Sequence, residues 1–288
     1  MIQSCYLCGS DKRSRIHNGV RDDKSIGVWE CLECGLVYLD SHKTNEAFYK
    51  EGKMHDERIQ MLVGGGGGNL AANDEDAKRR YEFVKNMIAC KEICDFGSGY
   101  GGFLTLAKEA ADSVCGVELE SQVAPVYERE QIPLYASIED THKNFDVITS
   151  FHCLEHLANP IEFLKTFKRH LKKGGKIILE VPNANDALLR IYKSEAFADF
   201  TYWSAHLYLF TPHTLEKLAK LAGLKVEFIK CVQRYSLSNH LYWLSHNKPA
   251  GHKVWGEFLD NELLKCAYEQ TLASLGASDT LFALLSAE

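Results

Sequence analysis

Four cysteines, a glycine-rich turn flanked by two acids, and a histidine set among aromatic side chains are the residues of this 288-residue chain whose types and spacing could do chemistry. Cys5 and Cys8 in "CYLCG", then Cys31 and Cys34 in "CLECG", give the spacing C-x2-C-x22-C-x2-C. Each short pair presents two sulfurs from one turn, and together they form the donor set of a closed tetrahedral zinc site. Gly9 and Gly35 follow the pairs, where a residue free to take positive φ lets backbone N–H groups turn toward the sulfurs. Four thiolates leave no open position for a substrate, so the metal is read as structural, holding a ribbon too short to fold by apolar burial. A turn at Asn18-Gly19 and a strand around Val28 fit such a ribbon, and His17, Arg21 and Asp22 read as solvated loop residues, with the lining of a substrate site as the alternative.

The stretch "CDFGSGYGGFL" satisfies two patterns at once. Gly97, Gly99 and Gly102 spell the G-x-G-x-x-G of a dinucleotide site, while Asp95, Gly97, Gly99 and Gly101 spell D-x-G-x-G-x-G, the usual S-adenosylmethionine loop. A helix N-terminus that receives a pyrophosphate gains nothing from a neighbouring acid. Asp95 instead suits a ligand carrying an ammonium and a sulfonium. Glu118 ends "SVCGVE" 23 residues beyond Asp95, where a carboxylate can accept both ribose hydroxyl hydrogens. Both cofactor classes use such an acid, so it indicates a nucleoside without choosing between them.

The elements that must position these residues follow from periodicity. Ala77, Tyr81, Val84 and Ile88 fall at helical spacing. From residue 92 short apolar runs alternate with helical segments, the pattern of a parallel sheet wound with helices. Strands are expected at "EICDF", "SVCGVE", "IPLYA", "FDVITSF", "KIILEVP", "KVEFIKCV" and "DTLFALLS", and helices around 102–111, 121–130, 159–172, 184–193 and 212–222. The run Gly64 to Gly68 reads as a linker, or as the hinge of a lid formed by residues 42–62.

Composition excludes other classes. A net charge of −6 disfavours nucleic acid, and no run approaches the roughly 18 apolar residues of a membrane span. The first residues carry no targeting pattern, and six of the ten cysteines are scattered singly, so a reducing, cytoplasmic setting is expected.

Further along, "FDVITSFHCLEHLANP" and "LKKGGKIILEVPN" occur in order. With the glycine turn they make residues 77 to about 232 resemble a class I S-adenosylmethionine-dependent methyltransferase, and the N-terminal ribbon is similar to that of sugar methyltransferases of polysaccharide and natural-product assembly. The resemblance implies an α/β, Rossmann-like seven-stranded sheet, with "DTLFALLS" as its antiparallel strand after an inserted helical segment. It divides the chain into a ribbon (1–40), a helical linker or lid (41–76) and a methyltransferase domain (77–288). Carried over by position, Asp95, Gly97, Gly99 and Gly101 form the loop around the methionine moiety, and Glu118 meets the ribose. Ser137 and Ile138 border adenine, and Phe151 and His152 close the pocket. Glu155 and His156 in "CLEHL" match a frequent motif whose histidine is mainly structural, on a helix docked beside the sheet, and a secondary catalytic candidate.

On the acceptor side, "FADFTYWSAHLYLFTPHTL" surrounds His206 with aromatic residues. The resembling sugar C-methyltransferases place a Glu-His pair before a Tyr-Phe pattern; here Ala205 stands in the glutamate's place and His206 is kept. Carbon acceptors demand more of a base than hydroxyls do, so a hydroxyl of a small, sugar-like acceptor is expected, with His206 as base and Arg234 or Lys248 meeting any phosphate. The alternatives are a sugar C-methyltransferase, a protein methyltransferase, a nicotinamide-dependent oxidoreductase and a non-enzymatic cofactor-binding module.

Overall fold

The computed structural model of the chain describes residues 2, 4–43, 50 and 74–287. The lid expected over 42–62, apart from His42, Lys43 and Lys50, and the run Gly64 to Gly68 lie outside the described residues.

The ribbon comes first, as an antiparallel meander of β1 (Arg13–Asn18), β2 (Gly27–Cys31) and β3 (Val37–Leu39). Helix α1 (Glu75–Ile88) starts at Asp74, whose carboxylate accepts the Ala77 N–H at 3.0 Å. It leads into β4 (Glu92–Phe96), α2 (Gly102–Ala107), β5 (Ser113–Val117), α3 (Ala124–Glu130), β6 (Leu134–Tyr135), β7 (Phe145–Phe151), α4 (Pro160–Arg169) and β8 (Leu171–Pro182). Beyond β8 come α5 (Ala187–Arg190), α6 (Glu195–Thr201), the two-residue β9 (Tyr208–Leu209), α7 (Pro212–Leu221) and β10 (Leu224–Val232). Helices α8 (Leu237–His246), α9 (His252–Leu259) and α10 (Glu262–Ser274) precede β11 (Thr280–Ala287).

Seven strands make one mixed sheet in the order β10-β11-β8-β7-β4-β5-β6. Strands β8, β7, β4, β5 and β6 are mutually parallel, and β11 runs antiparallel to both neighbours. Ile148, Ile177, Ile178 and Leu179 are fully buried in consecutive central strands, which is why those strands read as unbroken apolar runs. Strand β11 is the expected antiparallel strand, and α8 to α10 are the inserted segment before it.

Two helical expectations are revised. The 184–193 segment holds only the single turn α5, because Lys193 adopts a left-handed φ of +51° and the Tyr192 and Ser194 N–H groups turn back onto the Ala187 and Leu188 carbonyls. The segment "CLEHL" is a single 3-10 turn, Leu154–His156, rather than part of an α-helix.

The ribbon continues into the rest of the fold. Strand β3 pairs antiparallel with β9, Tyr38 opposite Tyr208 and Val37 opposite Leu209, and the Leu39 N–H donates to the Leu207 carbonyl at 3.1 Å. Its buried Leu7, Val28, Leu36 and Tyr38 join Leu207, Phe210, Phe167 and Leu179 in one apolar cluster. A second cluster, with Val84, Ile88, Phe103, Phe151 and Phe282, includes residues of α1, α2 and the sheet.

Arg21 and Asp22, expected to be solvated, grip the segment before His206. The Arg21 N–H donates to the Tyr202 carbonyl at 2.8 Å, and its guanidinium lies 4.4 Å from the centre of a Trp203 ring. The Asp22 carboxylate accepts the Ser204 N–H at 3.0 Å and its hydroxyl at 2.5 Å. Asp22→Ala should therefore cost about 1 kcal/mol, the net worth of hydrogen bonds to a charged but solvated group. A lower urea midpoint at unchanged slope is the expected reading; an unchanged midpoint would mean that these contacts contribute nothing to stability.

Candidate active site

Between Phe96 and Gly102 the chain turns across the carboxyl end of β4, at the point where the sheet order runs outward in both directions. Open α/β sheets bind ligands in this crevice. Gly97 has φ of +71°, and a Cβ there would stand 2.5 Å from Cys153 Sγ, so both conformation and space require glycine. Tyr127 braces the turn, its hydroxyl 2.6 Å from Ser98 Oγ and 3.1 Å from the Gly99 carbonyl. The Glu118 carboxylate accepts the N–H groups of Gly99 at 2.9 Å, Leu119 at 2.7 Å and Glu120 at 3.0 Å. It thus ties the end of β5 to the glycine turn. The Glu118 N–H reaches the Tyr135 carbonyl of β6 at 3.0 Å, just before Ser137, which exchanges hydrogen bonds with Asp140, and Ile138, which is buried.

Asp95 is buried and accepts the Thr149 hydroxyl at 2.6 Å. Burial pushes its carboxyl up to about 7, against the lowering effect of Thr149 and Arg80. An ammonium is the partner that would stabilise the charged form. Phe151 packs edge-on against Phe103 at 4.9 Å, with the Arg80 guanidinium 4.9 Å from its ring centre.

His152 follows with a left-handed φ of +50°. Its Nε2 lies 3.1 Å from Glu180 Oε1 and 2.9 Å from Arg234 Nη1, and its Nδ1 is 3.3 Å from Glu155 Oε1. Glu180, buried in β8, also receives Arg79 and Arg80 of α1, each at 2.8 Å. Arg234 donates through Nε to Asp76 of α1 at 3.0 Å, which leaves its guanidinium committed to a carboxylate rather than to an incoming phosphate. The helical spacing of Ala77, Tyr81, Val84 and Ile88 places α1 but says nothing of where its charged face reaches, so this latch carries no sequence signal. Thr149, Cys153 and Tyr127 likewise carried no sequence signal.

The turn Leu154–His156 then meets the segment from β9. The Leu207 N–H donates to the Glu155 carbonyl at 2.9 Å, the His156 and His206 rings lie 5.0 Å apart, and Trp203 is 5.4 Å from His206. One donor atom each from Glu155, His156 and His206 falls within 4.8 Å of the others. Burial, then His156, pushes the His206 imidazole down to about 3, so it is uncharged at neutral pH. Burial opposes ionisation of Glu155, but His152, His156 and His206 together hold it down to about 2. The carboxylate missing at Ala205 in the chain is thus present in space as Glu155. Tyr208 and Phe210 belong to the core.

In the ribbon, Cys5 and Cys34 Sγ are 3.6 Å apart, Cys8 and Cys31 Sγ 3.5 Å, and all four lie within 4.8 Å of one another. Sulfurs bound tetrahedrally at about 2.3 Å from zinc stand roughly 3.8 Å apart. Gly9 and Gly35, at φ of +74° and +77°, return their N–H groups to the Cys5 and Cys31 carbonyls at 2.8 Å each. The four cysteines therefore fit a zinc ion.

Gly97→Ala should abolish measurable binding of S-adenosylhomocysteine by calorimetry while the protein stays folded by circular dichroism; binding within threefold of the parent would contradict the contact with Cys153. Asp95 gives a pH test. A carboxyl raised to about 7 is ionised only above that pH, so affinity for an ammonium-bearing ligand should rise from pH 6 to pH 8. Binding near pH 6.5 should release a proton, and Asp95→Asn should weaken and flatten the profile. The sign for the ligand-free fold is opposite: its stability falls as pH rises between the unfolded and folded pKa values.

A family model described as a methyltransferase domain matches residues 64–228. The chain is 28% identical over 199 residues to the ubiquinone biosynthesis O-methyltransferase of Hydrogenovibrio crunogenus, an alignment covering 59% of this chain and 82% of that protein. For the ubiquinone biosynthesis O-methyltransferase of Acinetobacter baylyi the identity is 26%, covering 58% and 76%. Among solved structures, the CcbJ methyltransferase of Streptomyces caelestis superposes with a TM-score of 0.53 at 12% identity, covering 85% of this chain and 99% of that one. A methyltransferase of Thermotoga maritima, titled a possible histamine N-methyltransferase, gives 0.52 at 18% identity, covering 85% and 100%. At these identities the structures speak for the fold. With a family match spanning more than half of the chain and the seven-stranded sheet of that fold, the chain belongs to the methyltransferase-domain family and is an S-adenosylmethionine-dependent methyltransferase.

Proposed function

We propose that the enzyme transfers the methyl group of S-adenosylmethionine to a hydroxyl of a small polar acceptor, and that zinc held by Cys5, Cys8, Cys31 and Cys34 stabilises the ribbon. The observation that carries the acceptor reading is the uncharged His206 beside buried Glu155 and His156, on the turn whose Cys153 packs under Gly97. In this reading Asp95 and the glycine turn hold the methionine end of the donor, Glu118 the ribose, Ser137 and Ile138 the adenine, and Phe151 with His152 the inner wall. The donor carries the reactive methyl; the chain's part is to align the acceptor oxygen with it and exclude water. His206 offers its lone pair to the acceptor hydroxyl.

Ala205 no longer argues against a carbon acceptor, since Glu155 stands beside His206. The preference for oxygen rests instead on the curated relatives, which are named O-methyltransferases. A sugar-like acceptor rests on the resemblance of the ribbon to that of sugar methyltransferases; the cavity of about 710 Å³ lined by His17, Asn18, Arg190, Lys193 and Tyr202 shares no residue with the His206 cluster. A phenolic acceptor is the second reading, favoured by the ubiquinone pathway named for those relatives. Among the described residues no helix is long and apolar enough to cross a membrane.

Methyl transfer from labelled donor to a panel of sugars, nucleotide sugars and catechol-type phenols tests the reading; labelling of sugars alone supports the first acceptor and of phenols alone the second. On whichever acceptor works, His206→Ala should lower kcat by about 10²- to 10⁴-fold and leave S-adenosylhomocysteine affinity intact. Turnover at the parent rate would remove His206 from the chemistry.

A further inference from the structure

Glu155 is wholly buried; its Oε2 has no hydrogen-bond partner, and His152 Nδ1, 3.3 Å from Oε1, is the nearest donor to the other oxygen. A buried carboxylate in that state requires a compensating partner, and an ion is one of the few that fit. His152 approaches one oxygen at 3.3 Å, but its other nitrogen lies on Glu180 at 3.1 Å. Around the same carboxylate stand two further imidazoles, His156 and His206, with one donor atom from each of the three residues inside 4.8 Å. His206 Nδ1 is buried and has no hydrogen-bond partner.

We propose that Glu155, His156 and His206 bind a divalent first-row metal cation, at a site separate from the four cysteines. Two imidazoles and one carboxylate suit zinc, cobalt, manganese or ferrous iron better than magnesium or calcium, which prefer all-oxygen shells. Three protein ligands are the complement of a metal site that keeps positions for exogenous oxygen, whereas four cysteines close theirs. The supporting groups are in place. The His156 ring is bonded to the backbone carbonyl of Ala205, the kind of contact that fixes the tautomer of a ligating histidine. The two segments are pinned to each other by the Leu207 N–H on the Glu155 carbonyl, and Asp22 anchors Ser204 two residues before His206.

The role of such a cation rests on the oxygen-acceptor reading. Bound there, it replaces the His206 lone pair as the group that meets the acceptor oxygen and makes that hydroxyl more acidic. The hydroxyl proton passes to solvent water as the acceptor oxygen binds the cation; with water then excluded, the new carbon–oxygen bond forms as the sulfonium–methyl bond breaks, and S-adenosylhomocysteine departs.

The test uses the full chain purified with its cysteine site already loaded with zinc, titrated with cobalt(II). One additional cobalt per chain is expected, with visible d–d absorption and no thiolate charge-transfer band. Glu155→Gln and His206→Gln should each weaken that binding at least tenfold, with zinc content, circular dichroism and S-adenosylhomocysteine affinity unchanged. No cobalt uptake by the parent protein, uptake accompanied only by thiolate bands, or equal uptake by both variants would overturn the site. Because the readout needs no acceptor, its failure is distinct from failure of the methyl-transfer assay: a parent without cobalt that still methylates leaves His206 acting on the hydroxyl directly.

Discussion

His206 is held by a strand of two residues that follows it. Tyr208 and Leu209 have no sheet of their own; they become ordered because β3 offers an edge on which their backbone groups can pair. Without that pairing the stretch from Trp203 to Leu207 would be a surface loop, and the approach of His206 to Glu155 would carry the entropy of an unanchored segment. The ribbon therefore bears on the position of His206 through its strand pairing. A four-cysteine zinc site fits that role, since rigidity in a small meander is what it provides.

The same economy appears at the glycine turn. Cys153 occupies the space that a side chain at Gly97 would need, and from Cys153 the backbone passes within three residues to His156. One short segment after β7 thus forms the underside of the donor loop and one wall of the histidine cluster. Its charge balance is set from α1, whose Asp76, Arg79 and Arg80 reach Arg234 and Glu180 across the top of the sheet. The buried Glu180 is tolerable because two guanidiniums and an imidazole surround it.

Legibility differed by kind of interaction. Strands β4, β7, β8 and β11 were visible as apolar runs, because burial on both faces removes polar residues from a strand. The cysteine spacing and the D-x-G-x-G-x-G turn were visible because coordination and close backbone approach each demand a particular residue type. The turn at Leu154–His156 was not, since "CLEHL" is as compatible with a helix as with a single 3-10 turn. Arg21 and Asp22 are exposed, as expected, yet they also hold Tyr202 and Ser204, and Arg234 is taken up by Asp76: a charged residue in a loop carries no mark of which distant group will meet it.

What the sequence determined by itself was the class of fold, the glycine turn after β4 and the clustering of four thiols, all of which depend on neighbours within a few residues or on a periodic pattern. What only the tertiary structure decided was the pairing of β3 with β9 and the meeting of Glu155 with His206. These contacts join segments far apart in the chain, so they are set by how the ribbon packs on the sheet. Ala205 and Glu155 illustrate the difference: the residue beside His206 in the chain is apolar, while the carboxylate beside it in space comes from another segment, because contacts respond to distance in space and not along the sequence.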